Sequence, residues 1–230
     1  MNPLFDPTIY TASTWVIPVL LAVTLHEAAH GYVAHACGDD TAWQLGRVSL
    51  NPLRHVDPFG TVFLPALLLL SHAPFLFGYA KPVPVRFERL RHPRRDMIWV
   101  AAAGPGMNLV LAIGAALLIH TIGYLPLGIG QWVLWNLGNA ININVILAVF
   151  NMIPLPPLDG GRVAVGLLPD ALAGPLARLE PYGMLIVIGA LFVLPMLAAQ
   201  IGVGVNIFGQ LITRPADAII QTILYLTGNG

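Results

Sequence analysis

Residues 15–36 read WVIPVLLAVTLHEAAHGYVAHA, an apolar stretch of membrane-spanning length with ionisable side chains in its second half. A helix needs about 20 mostly apolar residues to cross a hydrocarbon core roughly 30 Å thick. Residues 97–119, 131–153 and 182–203 meet the same measure, so four firm spans are expected. Two further stretches are less regular. Residues 56–77 are interrupted by Pro65 and Pro74, and residues 216–226 carry Ile219, Ile220, Ile223 and Leu224 at helical spacing. The first is expected to re-enter and the second to span or to lie flat on the membrane. Up to six membrane helices result.

Composition agrees with a bilayer environment. The 230 residues are 57% hydrophobic and 10% charged, with zero formal net charge, and the mean hydropathy is +0.75. Such a chain belongs in lipid rather than water. Neutral charge and the lack of any basic run interleaved with aromatics exclude a nucleic-acid surface. The lone cysteine, Cys37, can form neither an intrachain disulfide nor a cysteine-based zinc site. The first twelve residues contain no Lys or Arg, so the first span is expected to be retained rather than cleaved as a signal. No internal repeat or long linker divides the chain, and residues 1–230 are read as one domain.

Basic residues orient the spans, because short cytoplasmic loops are enriched in Lys and Arg. Arg47, Arg54, Lys81, Arg86, Arg89, Arg91, Arg94 and Arg95 lie between the first two firm spans, and Arg162 and Arg178 follow the third. Residues 1–14 and 120–130 have none. The N-terminus is therefore expected outside and the two basic loops in the cytoplasm. A re-entrant hairpin at residues 56–77 keeps Arg47 and Arg54 on the same side as the cluster at 81–95.

Within the first span, His26-Glu27-Ala28-Ala29-His30 has the spacing of the H-E-x-x-H zinc motif. Residues four apart share a helix face about 6 Å from each other, so both imidazoles can reach one metal ion. Glu27 sits beside that face, where its carboxylate can take a proton from an attacking water instead of binding metal. A packed polar cluster or proton relay is the competing structural role. Two histidines and a glutamate without partners in a membrane helix are costly, however, and intramembrane ionisable groups mark functional sites by default.

A catalytic zinc site of this kind needs a third protein ligand and one open position. An extended H-E-x-x-H-x-x-G-x-x-H pattern would require a histidine at 36, where Ala36 stands. The better candidate is Asp159 in NMIPLPPLDGG, residues 151–161, with a simple Asp-Gly turn as the alternative. Pro154, Pro156 and Pro157 end the third span there and hold Asp159 near the membrane surface. His26 and His30 lie roughly 9 to 15 Å below the cytoplasmic end of their own span. Both sets thus gather toward the same side.

Three segments together resemble the site-2 protease family, the intramembrane zinc metallopeptidases of family M50. HEAAH at 26–30 resembles its zinc helix, AAAGPGMN at 101–108 its small-residue core helix, and NMIPLPPLDGG at 151–161 its N-x-x-P-x-P-x-L-D-G signature. The resemblance covers about residues 15–165, the expected catalytic core, with C-terminal helices at about 182–227. It implies one Zn2+ per chain held by His26, His30 and Asp159, and Glu27 as general base. Asn151 then matches the asparagine that holds the substrate carbonyl or oxyanion, a hydrogen bond typically worth ~3 kcal/mol. Asn108 is a second substrate-binding candidate, with interhelical hydrogen bonding the stronger alternative. The chain is compact, without room for an appended PDZ or CBS domain.

The expected substrates are transmembrane proteins, whose helices must be unwound before water reaches a peptide bond. Residues 78–86, GYAKPVPVR, read as an extended edge, because Pro82 and Pro84 forbid helix while Val83 and Val85 favour extension. The same segment resembles the family's membrane-associated β element, with Val83 and Val85 on a strand that pairs with unwound substrate. The fold expectation is thus an all-α integral membrane protein, a polytopic helix bundle with a small β element. Competing functions are a metal or proton transporter and an inactive scaffold that binds membrane helices. A transporter would spread ionisable groups through the whole bilayer depth. A di-iron lipid enzyme would need several histidine boxes, and the chain has one.

Overall fold

The computed structural model describes residues 7–63, 67, 81–204 and 206–230. Helix α1 (Pro7–Ala36) carries the HEAAH segment. It stops at Gly38, whose positive φ of 105° suits a residue without a Cβ, and the N–H groups of Gly38 and Asp39 bond back to His35 and Ala34 carbonyls. A single turn, α2 (Thr41–Gln44), follows. Helix α3 (Pro93–Leu118) starts with proline at its first position, and Asp96 reaches back to accept the His92 N–H at 2.9 Å. It continues as a 3-10 segment, Ile119–Tyr124.

Helix α4 (Leu127–Asn151) returns through the bundle, and short helices α5 (Asp159–Leu167) and α6 (Asp170–Ala177) follow the proline-rich turn. Helical turns then run unbroken from α7 (Glu180–Ile188) into α8 (Leu194–Gln200), and the chain closes with α9 (Arg214–Leu226). Among the described residues, four helices are long and apolar enough to cross a membrane: Ile9–Ala36, Pro93–Tyr124, Leu127–Asn151 and Glu180–Gln200. Each contains most of an expected span. The protein is therefore a multi-pass membrane protein.

Helix α3 is central and packs against α1, α4 and α5. Its inward face is small and polar, with Ala101, Gly104, Asn108, Ala112 and Ala116 buried, while Trp99, Val110, Ile113 and Leu117 point outward. Large apolar side chains outside and small ones inside suit helices that gain nothing from leaving lipid and must instead approach closely. Hydrogen bonds tie the faces together. Asn139 Nδ2 donates to Thr14 Oγ1 at 2.9 Å, and Trp132 Nε1 donates to Ser13 Oγ at 3.0 Å. Each such bond contributes about 1 kcal/mol in a membrane. Helix α9 has 13 residues. It buries Ala216 and Ile223 against Ala112, Ala116, Ile141 and Val145 of α3 and α4.

The β expectation is not met: the described residues contain no strand. Residues 81–86 run without regular structure because their amides are claimed by other elements. The N–H of Lys81 bonds to the His55 carbonyl at 2.8 Å, that of Val83 to Glu27 Oε2 at 2.8 Å, and that of Arg86 to Asp39 Oδ2 at 2.6 Å. Pro82 and Pro84 have no N–H. Only Val85 keeps its amide, too few donors for a pairing edge. Asp39 is the anchor of this segment. Burial disfavours its charge, but hydrogen bonds from the Thr41 hydroxyl and the amides of Arg86 and Thr41 outweigh it and hold the carboxyl below its ordinary range. Asp39 is therefore ionised at neutral pH. The expected re-entrant hairpin at residues 56–77 lies mostly outside the described residues, which include its start at 56–63, helical over Pro58–Phe63, and residue 67.

Candidate metal centre

Helix α1 places His26 and His30 one turn apart, and α5, which packs against α3, brings Asp159 to them. The Nε2 atoms of the histidines are 3.1 Å apart, and Asp159 Oδ2 is 3.3 Å from the first and 3.4 Å from the second. Both histidines are at least nine-tenths buried. Among the described residues this is the one cluster of three or more His, Cys, Asp or Glu side chains able to hold a metal ion.

The other imidazole nitrogens determine what the cluster can bind. His30 Nδ1 faces the Val100 carbonyl at 2.6 Å, an acceptor only, so it must carry the proton. His26 Nδ1 faces Asn108 Oδ1 at 2.6 Å. The orientation of that amide follows from its neighbours: Asn108 Nδ2 donates to Asn144 Oδ1 at 2.7 Å and to the Ala22 carbonyl at 3.2 Å, while Asn144 Nδ2 donates to Ala140. His26 Nδ1 is therefore a donor as well. In the neutral imidazoles the two Nε2 lone pairs then face each other and a buried carboxylate oxygen that has no hydrogen-bond donor. A cation relieves all three at once. Tetrahedral zinc with bonds of about 2.0–2.2 Å sets its ligands about 3.3–3.5 Å apart, close to the separations found here. The residues fit zinc.

Gly104 of α3 lies directly against the two Nε2 atoms. A Cβ there would come 2.6 Å from His26 Nε2 and would also collide with His30 Nε2. Arg94, in the first turn of the same helix, holds α5 from its other end. Its guanidinium donates to the Gly166 carbonyl at 3.0 Å, to the Leu168 carbonyl and to Asp170 at 2.8 Å. These bonds cap the C-terminus of α5. At the N-terminus, Gly160 and Gly161 let the first turn press on the backbone of residues 152–156, where any Cβ would clash. Asp159 is thus gripped through both ends of its helix.

A scan against family models matches the description "Peptidase family M50" over residues 14–128, half of the chain, including HEAAH, Gly104 and Asn108. The Bacillus subtilis (strain 168) protein described as "Putative zinc metalloprotease YwhC" is 38% identical over 218 residues, covering 91% of this chain and 93% of that protein. The chain belongs to peptidase family M50. More distant relatives are "Putative zinc metalloprotease Rip2" of Mycolicibacterium smegmatis, 29% identical over 74% of this chain and 62% of its own, and of Mycobacterium tuberculosis, 29% identical over 61% and 52%. No solved structure matches the chain.

In this M50 chain the residues expected to contact substrate hold partners within the fold. Asn108 is completely buried, with both amide protons and its oxygen committed, and its oxygen faces His26. Val83 is buried and its N–H is taken by Glu27, and Val85 packs beside Ala34, Leu90 and Val100. Neither offers a free pairing edge. Asn151 is half-buried at the end of α4 and donates to the Leu147 carbonyl of its own helix at 3.0 Å. The roles of Asn108 toward His26, Arg94 toward α5 and Gly104 toward the donor atoms carry no local signal in the chain.

Replacing Asn108 with leucine removes the acceptor that orients His26. We expect zinc affinity, measured by competition with a chromophoric chelator, to fall about 10- to 100-fold. Unchanged affinity would show that the His26 ring is held by α1 alone.

Proposed function

We propose that this M50 chain is an intramembrane zinc metallopeptidase of the site-2 type, hydrolysing peptide bonds within or near the transmembrane segments of membrane proteins. The observation that carries the reading is the convergence of two donor-free Nε2 atoms and Asp159 Oδ2 on one point inside a membrane bundle. His26, His30 and Asp159 are the zinc ligands in this reading. Zinc supplies Lewis acidity toward a peptide carbonyl and toward water. Glu27, adjacent to the ligand pair but committed to no ligand bond, accepts the proton of the attacking water and passes it to the leaving amine. Its Oε2 is held by the Val83 amide at 2.8 Å, which leaves Oε1 for that exchange. Asn151 holds the substrate carbonyl after its amide rotates away from Leu147.

The whole chain, residues 1–230, forms one peptidase domain with its catalytic core at about 15–165. Loop charge supports an N-terminus outside the cell membrane and a centre that opens toward the cytoplasm. A transporter needs polar groups along a path, whereas the described residues contain a single metal-capable cluster. The decisive experiment uses full-length protein in detergent with a single-span test substrate. Chelation should abolish cleavage and added zinc restore it. Cleavage that persists in metal-free protein, or never occurs with zinc at one equivalent, would refute the reading.

A further inference from the structure

The loop after α2 has no part in the peptidase reading, yet it builds a second feature. Arg47, Arg54 and Lys81 converge on an open cavity of about 470 Å³ that no Asp or Glu lines. None of the three has a carboxylate partner among the described residues, whose Lys and Arg ion pairs involve Arg94, Arg95 and Arg162 instead. The two arginines are held by neutral groups. Arg47 donates to the Arg54 carbonyl at 2.6 Å and to the Lys81 carbonyl at 3.0 Å, and Arg54 donates to the Gly46 carbonyl at 2.6 Å. Backbone carbonyls fix the guanidinium planes without cancelling their charge. The cavity is thus an uncompensated cationic pocket with guanidinium donors to spare.

Its rim is apolar. Leu53 is 77% exposed and Leu45 is 64% exposed, and both line the cavity. Leu50, between them in the loop, is also exposed. Leucines that project beside a cationic pocket, on a loop joining two membrane spans, fit the boundary between headgroups and acyl chains. A soluble anion would use the cations and leave the leucines in water. An anionic phospholipid uses both.

We propose that Arg47, Arg54 and Lys81 form a binding site for the phosphodiester of an anionic phospholipid, with an acyl chain lying along Leu45 and Leu53. The site is separate from the metal centre and holds whether or not the chain is a peptidase. Native mass spectrometry of full-length protein in detergent, titrated with phosphatidylglycerol and with phosphatidylcholine, tests it. Wild type should prefer phosphatidylglycerol, and Arg54→Gln and Lys81→Gln should each weaken its binding about fivefold, the equivalent of ~1 kcal/mol per basic side chain near a membrane surface. Lys81→Arg should restore it. Neither side chain holds a partner whose loss would unlock the 81–86 segment, and an unchanged thermal midpoint checks that the variants fold. Equal binding of the two lipids overturns the proposal, as does a preference that survives the double variant. Displacement of phosphatidylglycerol by millimolar inorganic phosphate would assign the pocket to a soluble anion and overturn it equally.

Discussion

Gly104→Ala should leave the protein folded in the membrane and unable to hold zinc. The added methyl would stand 2.6 Å from His26 Nε2 and closer still to His30 Nε2, against the metal-facing nitrogens of both rings. The histidines cannot yield. Their other nitrogens are bound at 2.6 Å to Asn108 and to the Val100 carbonyl, and a ring that swung away would leave a buried acceptor unsatisfied, costing about 1–3 kcal/mol. Zinc content measured on purified protein should fall from near one equivalent to near none. Gly106→Ala is the control: it sits two residues along the same helix, a Cβ there meets nothing within 4 Å, and alanine improves helix propensity by roughly 1 kcal/mol. It should retain zinc. If Gly104→Ala binds zinc as tightly as wild type, the centre does not lie where these atoms meet. Comparing thermal midpoints in chelator separates metal loss from misfolding, because the variant should match metal-free wild type.

Glu27→Gln should keep zinc and lose cleavage. Removing a general base typically costs 10²- to 10⁴-fold, and we expect a loss of about a thousandfold in the rate on a single-span substrate. The carboxamide oxygen can still accept the Val83 N–H, so the segment that carries it stays in place. Glu27→Ala removes proton transfer and that anchor together. A Gln variant with full zinc and full cleavage would take Glu27 out of the chemistry and leave it a purely structural acceptor. A Gln variant that lost zinc would mean that the carboxylate also supports the metal.

Zinc retained after Asn108→Leu, or lost after Gly104→Ala, bears on residues that a reading of the chain could not assign. The reasons are physical. His26 and His30 were recognisable because a helix repeats its face every three to four residues, so a motif within one turn states its own geometry. The four spans were recognisable because a bilayer imposes a fixed apolar length on each crossing. Asp159 was found through the proline-rich turn that carries it, but its arrival at the histidines depends on α5 docking against α3.

The supporting contacts join distant parts of the chain. Asn108 meets His26 across 82 residues, the Val100 carbonyl meets His30 across 70, Arg94 meets Gly166 across 72, and Val83 meets Glu27 across 56. Nothing in local periodicity specifies such pairs. The same cause governs residues 81–86, whereas residues 78–80 of the expected edge lie outside the described residues. Alternating valines and prolines do encode an extended backbone, yet whether its amides stay free for a substrate depends on Glu27, Asp39 and His55 elsewhere in the fold, and those acceptors take them. The HEAAH segment and its spans were therefore determined by the sequence itself, through helix period and bilayer thickness. The tertiary structure alone decided which neighbours orient the ligands, because burial obliges each polar group to find a partner and only the folded bundle says which partner is in reach.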